Sequence, residues 1–223
     1  MDPLLLLPLA VGPGVFWMFW FYLKDRYEPE PPAAVIRIFL LGALAVIPAA
    51  FAEQLASFLV PAILLPVALG PLIEEFAKYQ VVRGYIYDDP EFDEPMDGII
   101  YAVAAALGFA TLENVLYVGI AALTSVTLAL GVSAIRAFLS VPGHALISLC
   151  WGAALGRARF MERGRGRLLV AGGFALAVAV HGAFNYLVSD TITLVLLVVL
   201  LVPVAWIAAG RAIENALRDG HRR

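Results

Sequence analysis

Seven long apolar runs, following one another almost without pause, constrain this chain more than any other feature. A helix needs about 20 mostly apolar residues to cross a bilayer. Runs of that kind occupy roughly residues 4–23, 33–56, 62–86, 97–121, 131–157, 168–188 and 191–211. Hydrophobic residues make up 62% of the chain and charged residues 15%. Soluble domains have roughly 45–50% and 25%, so a water-soluble globule of this size could not hide the excess. A closed β-barrel would show short alternating segments instead of continuous runs. The expected fold is therefore all-α: a polytopic transmembrane helix bundle of about seven spans, forming one integral membrane domain over residues 1–223.

Lysine and arginine orient such a bundle, because they collect on its cytoplasmic side. Lys24, Arg26 and Arg37 flank the loop after the first run, and Arg83 ends the third. Arg157, Arg159, Arg163, Arg165 and Arg167 crowd the junction of the fifth and sixth, and Arg211, Arg218, Arg222 and Arg223 follow the seventh. The remaining junctions, near residues 57–61, 122–130 and 189–190, carry none. The alternation gives an N-out, C-in topology, with residues 212–223 as a basic cytoplasmic tail. Residues 87–96 form an acidic cytoplasmic loop, read as a solvated connector with Pro95 set for the first turn of the next helix, or else as a docking surface. The first twelve residues lack the basic n-region of a signal peptide and read as a retained helix. A net charge of −3 gives no general attraction to nucleic acid. Cys150 is the single cysteine, so an intrachain disulfide is excluded.

Ionisable groups inside a span are costly and are functional candidates by default. The third run carries Glu74, Glu75 and Lys78, the fourth Glu113 and Asn114, the fifth Arg136 and His144, the sixth His181 and Asn185. At about 1.5 Å per residue, Glu113 and His181 lie roughly 10–12 Å from the outer boundary, and Glu74 and His144 roughly 18–20 Å. A shared depth points to one polar cavity opening outward. Lys78 is i+4 from Glu74 and i+3 from Glu75, yet it neutralises only one of them. Lys78 and Asn114 read as structural polar groups, Arg136 as a side chain that snorkels outward, and Phe109 as packing. Gly70-Pro71 allows either a helix break that puts both glutamates near a positive helix end or a simple kink.

Carboxylates and imidazoles around a wet cavity suit hydrolysis. A glutamate acts as general base, a histidine shares proton transfer, and asparagine or histidine stabilises an oxyanion. The candidate catalytic set is Glu74, Glu75, Glu113, His144, His181 and Asn185. A metal version would use Glu113, His144 and His181 as ligands, with a divalent ion such as zinc and a neighbouring glutamate as base; a metal-free version stays open beside it.

These residues fall into patterns. Glu74-Glu75-Phe-Ala-Lys78 matches EExxK, Phe109-Ala-Thr-Leu-Glu113-Asn114 matches FxxxEN, and His181-Gly-Ala-Phe-Asn185 matches HxxxN. His144 with Ser148 fits HxxxS, and residues 93–98 fit the segment preceding the fourth helix. In this order, from about residue 24 to 190, they resemble the PrsW family of intramembrane proteases, distantly similar to type II CAAX prenyl endopeptidases. Glu113 stands where those endopeptidases carry a histidine. The resemblance implies an endopeptidase in a bacterial or archaeal cell membrane. Its substrate would be a membrane-anchored protein such as an anti-sigma factor cut at site 1 on the extracytoplasmic side. Two other readings of the buried charges are a proton-coupled transporter and a non-catalytic scaffold that binds partners through its acidic loop.

Overall fold

The computed structural model describes residues 6–221. Residues 4–5 of the first expected span, and Arg222 and Arg223, lie outside them. Among the described residues there are seven helices and no strand: α1 (Leu7–Tyr22), α2 (Pro32–Ala56), α3 (65–85), α4 (Pro95–Thr124), α5 (Val126–Ala158), α6 (Arg163–Val188) and α7 (Thr191–His221). Each coincides with one apolar run. Five are long and apolar enough to cross a membrane. Helix α1 is apolar but has 16 residues, and α3 is broken up by Glu74, Glu75, Lys78 and Arg83.

Helix α4 is the axis of the bundle and is buried without interruption from Pro95 to Thr111. Its composition explains this: a run of alanines and glycines lets neighbouring backbones close in. Gly98 faces Gly152 and Gly156 of α5, and a Cβ at any of the three would collide with backbone or a side chain opposite. Helix α2 packs on α4 as closely, with Gly42 against Ala105 and Gly108 against Phe39, and α1 and α7 also pack on it.

Prolines interrupt several helices, and each freed carbonyl described next is met by a donor from another helix. Pro13 in α1 offers no N–H to the Leu9 carbonyl, and Ser133 Oγ donates to it at 3.1 Å. Helices α3 and α5 each contain a π turn just before a proline, at Leu65–Leu69 and Arg136–Ser140. In that i→i−5 pattern Pro71 and Pro142 leave the carbonyls of Pro66 and Ala137 without partners. Asn185 Nδ2 donates to Pro66 at 2.9 Å, and Trp17 Nε1 to Ala137 at 3.1 Å. Helix α3 therefore continues through Gly70-Pro71 as a π-distorted helix. It is neither broken there nor simply kinked.

The acidic stretch after α3 is only partly solvated. Asp88 is exposed and pairs with Arg83 and Arg159. Glu94 and Asp97 are buried, because they form a capping box at the start of α4, in which Asp97 Oδ2 accepts from the Asp93 and Glu94 amides, both at 2.7 Å. Pro95 occupies the first helical position as expected. Asp25 and Glu30 from the α1–α2 loop are buried close to this cap. The seventh helix runs on through the expected tail as an amphipathic helix, with Ile213, Ala216 and Leu217 buried and the ion pair Glu214–Arg218 outside. Its end reaches the cap, where Gly220 lies against Glu94 and His221 stacks on Tyr27.

Burial pushes the Asp25 carboxyl up to about 6, with Glu28 adding repulsion, and the Glu94 carboxyl up to about 8, with Asp97 and Asp25 adding repulsion. A raised folded-state pKa stabilises the fold fully below the unfolded value and loses that contribution as pH rises through the folded value. The melting temperature of the detergent-solubilised protein should therefore fall by several degrees between about pH 4 and pH 8, and Glu94→Gln should flatten the upper part of that decline.

Candidate active site

Four helices bring their ionisable groups to one place. Glu75 of α3 is fully buried and saturated: Lys78 Nζ donates to Oε1 at 2.8 Å, Ser148 Oγ and Trp151 Nε1 to Oε2 at 2.6 and 2.9 Å, and His181 Nδ1 lies 3.1 Å from Oε1. Lys78 is also completely buried. Its ammonium contacts Glu74 Oε2 at 3.3 Å and His144 Nδ1 at 2.9 Å, and it sits over the Phe109 ring. Among the described residues, Glu74 has Lys78 as its one hydrogen-bond partner, and its side chain keeps a small exposed fraction.

The two imidazoles are held in matching ways. His144 Nε2 meets Glu113 Oε2 at 3.1 Å, and its Nδ1 faces Glu74 Oε2 at 3.8 Å. His181 Nδ1 meets Glu75, and its Nε2 faces the same Glu74 oxygen at 3.8 Å. Each ring thus has one nitrogen on a carboxylate and the other turned to Glu74, with the rings edge to face at 5.2 Å. Proteins hold metal-ligating histidines in this way, with an outer carboxylate fixing the tautomer; the inner nitrogen of His181 is left open to coordinate, whereas that of His144 faces the Lys78 ammonium at 2.9 Å, a contact that a metal there would displace.

Ligand atoms of Glu74, His144 and His181 all lie within 4.8 Å of one another. A Glu/His/His set suits a catalytic divalent ion, and the residues present fit one. Glu113, expected as the third ligand, is not in this group. Its carboxylate is taken by Arg136, whose Nη2 donates to Oε2 at 2.6 Å. Arg136 turns inward instead of snorkelling. It also donates to Asn114 Oδ1 at 3.0 Å and lies over Tyr117, while Asn114 Nδ2 donates to the Ala10 carbonyl.

Asn185 stands apart from the cluster. Its amide is spent on Pro66, and Gly182, the residue after His181, lets the backbone at Val67 approach α6 closely. HxxxN therefore divides its work: His181 enters the cluster and Asn185 fixes the π turn of α3. Two participants escape a sequence reading based on acids and histidines. Trp151 follows His144 and Ser148 at i+7 and i+3, on one helical face, and that spacing was its signal. Glu53 lies near the end of α2, and its charge reaches Glu74, Glu113 and His181. Its signal was an unpaired acid inside an apolar run.

A helix bundle of membrane-spanning composition, whose buried glutamate and histidines could hold a metal, fits the class of intramembrane metallopeptidases. The comparisons with known proteins specify which kind. Residues 30–208 match the model of the PrsW family intramembrane metalloprotease, and the chain belongs to that family. It is 41% identical to protease PrsW of Geobacillus kaustophilus over 187 residues, 82% of this chain and 79% of the relative. It is 32% identical to protease PrsW of Oceanobacillus iheyensis over 219 residues, 95% and 98% of the two chains, and 32% identical to that of Bacillus subtilis over 191 residues, 81% of each. No solved structure matches. The protein is a peptidase and a multi-pass integral protein of the bacterial membrane.

Proposed function

We propose that this protease cuts a membrane-anchored protein near the extracytoplasmic face, using Glu74 as the reactive carboxylate of a site that Glu74, His144 and His181 prepare for a divalent metal. The observation that carries the reading is the paired arrangement of the imidazoles, each backed by a carboxylate and aimed at one Glu74 oxygen. A metal held by these three side chains would polarise the scissile carbonyl and acidify a water. The chain's own residues do the rest. Glu75 and Glu113 keep His181 and His144 in place, and Lys78 and Arg136 balance their charge. Glu74 takes the proton of the attacking water through Oε1 and passes it to the leaving amide nitrogen as the C–N bond breaks. Asn185 acts on the helix that carries the glutamates, not on the reacting carbonyl.

Topology supports the extracytoplasmic placement. With arginine-rich ends inside, Glu53, Glu113 and His181 lie toward the C-terminal ends of α2, α4 and α6, on the outer side, and Glu74 lies at the middle of α3. An N-out, C-in bundle of seven spans follows, with residues 87–96 and 212–223 in the cytoplasm. An anti-sigma factor with one span would meet the site from that outer side. The protein is expected to bind close to one equivalent of zinc or another divalent ion after loading and dialysis, measured by elemental analysis. His181→Ala and His144→Ala should lose it together with peptide cleavage. Cleavage that persists in strictly metal-free protein would rule out the metal reading and leave Glu74 as an unaided base.

A further inference from the structure

At the arginine-rich end of the bundle, α3, α5 and α6 diverge around a recess of about 910 Å³, within the range of ligand sites. Arg83, Arg159, Arg163 and Arg167 line it, with Asp88 as the acidic wall residue. Asp88 is shared between Arg83 at 2.7 Å and Arg159 at 3.6 Å. Among the described residues Arg163 and Arg167 have no ion-pair partner, so four guanidinium groups face one carboxylate. Away from the arginines the wall turns apolar, through Phe76, Val170 and Phe174, and Phe76 is half exposed on the outside of α3. Cationic at the interface and apolar toward the hydrocarbon, the recess has the profile of one anionic phospholipid.

We infer that this recess is a binding site for an anionic phospholipid, its phosphate held by Arg163 and Arg167 and its chains laid along Phe76 and Phe174. Guanidinium forks suit phosphate oxygens, and basic pockets between spans at the cytoplasmic level suit acidic headgroups. The inner wall leads to the active site. Tyr79 packs edge-on against Phe174 at 5.8 Å and against Trp151 at 5.5 Å, and Trp151 holds Glu75. A bound lipid therefore buttresses the packing behind Glu75, and it stabilises the folded chain by mass action.

The test uses the full chain in detergent, titrated with phosphatidylglycerol, phosphatidylcholine or inorganic phosphate and followed by native mass spectrometry and thermal melting. Phosphatidylglycerol should bind and raise the melting temperature, and the other two should not. Arg163→Ala with Arg167→Ala should weaken phosphatidylglycerol binding about thirtyfold, whereas Arg211→Ala with Arg218→Ala should change it little. Both arginines of the first pair are exposed, so their loss leaves the core intact. A photoreactive benzoyl-phenylalanine at position 76 should label the lipid in phosphatidylglycerol vesicles that also hold a single-span protein. Equal binding of the two lipids, an unaffected arginine pair, or full competition by inorganic phosphate would overturn the assignment. Labelling of the single-span protein in place of lipid would make the recess a substrate groove instead.

Discussion

Glu74→Gln is expected to lower cleavage of a reconstituted single-span substrate by roughly a thousandfold, the usual scale for losing a general base. The melting temperature should move little. Glu74 contributes one hydrogen bond, at 3.3 Å to Lys78, and Lys78 keeps its closer partner Glu75 at 2.8 Å. Glutamine preserves size and removes the negative charge that the inner nitrogens of both histidines face. The loss should lie mainly in kcat, because Glu74 is assigned to the proton in flight and not to the substrate's span. Glu113→Gln offers the contrast. Its carboxylate is held by Arg136 and His144, so its loss acts through the His144 ring and should cost less, roughly ten- to a hundredfold, as for an outer partner of a metal ligand. Full turnover by Glu74→Gln would remove Glu74 from the chemistry and return the base role to its neighbours.

Much of this site could be read along the chain, because a charge inside an apolar run is costly and so conspicuous. Glu74, Glu75, Lys78, Glu113, His144 and His181 all stand out on that ground, and depth by helical rise puts Glu74, Glu113, His144 and His181 in one slab. Roles were harder to read. Two adjacent glutamates look alike in sequence, and what separates them is that Ser148 and Trp151 reach Glu75 from α5. Asn185 shares a face with His181, so the pair reads as one site, and only the π turn reveals the carbonyl that needs its amide. Arg136 reads as a snorkelling side chain because sequence gives its depth and not its azimuth; Glu113 across the helix boundary draws it inward. The helices themselves were legible almost to their ends. The tail was not, because a test for spans ignores an amphipathic stretch whose apolar face is narrow.

Lys78→Met should destabilise the bundle by about 3–5 kcal/mol, the cost of stripping one partner from a buried ion pair, or a fall of roughly 10 °C in melting temperature for a chain of this length. Both charges are fully buried and 2.8 Å apart. The neighbours of Glu75 cannot make up the loss, since Ser148 and Trp151 donate neutral hydrogen bonds and leave a whole charge in a dry interior. Adding Glu75→Leu to Lys78→Met should recover most of the stability, because an apolar pair can replace a buried ionic one at little cost. Recovery stops short of complete: Ser148 Oγ, Trp151 Nε1 and His181 Nδ1 then lose their common acceptor, and unpaired buried donors are penalised. Activity should stay absent in the double variant although it folds, since His181 is no longer held with Nε2 toward Glu74. Stability and cleavage thus part company in one pair of proteins. A double variant that cleaves normally would mean that Glu75 and Lys78 serve the fold alone; a Lys78→Met protein as stable as the parent would mean that the pair is not sealed from water.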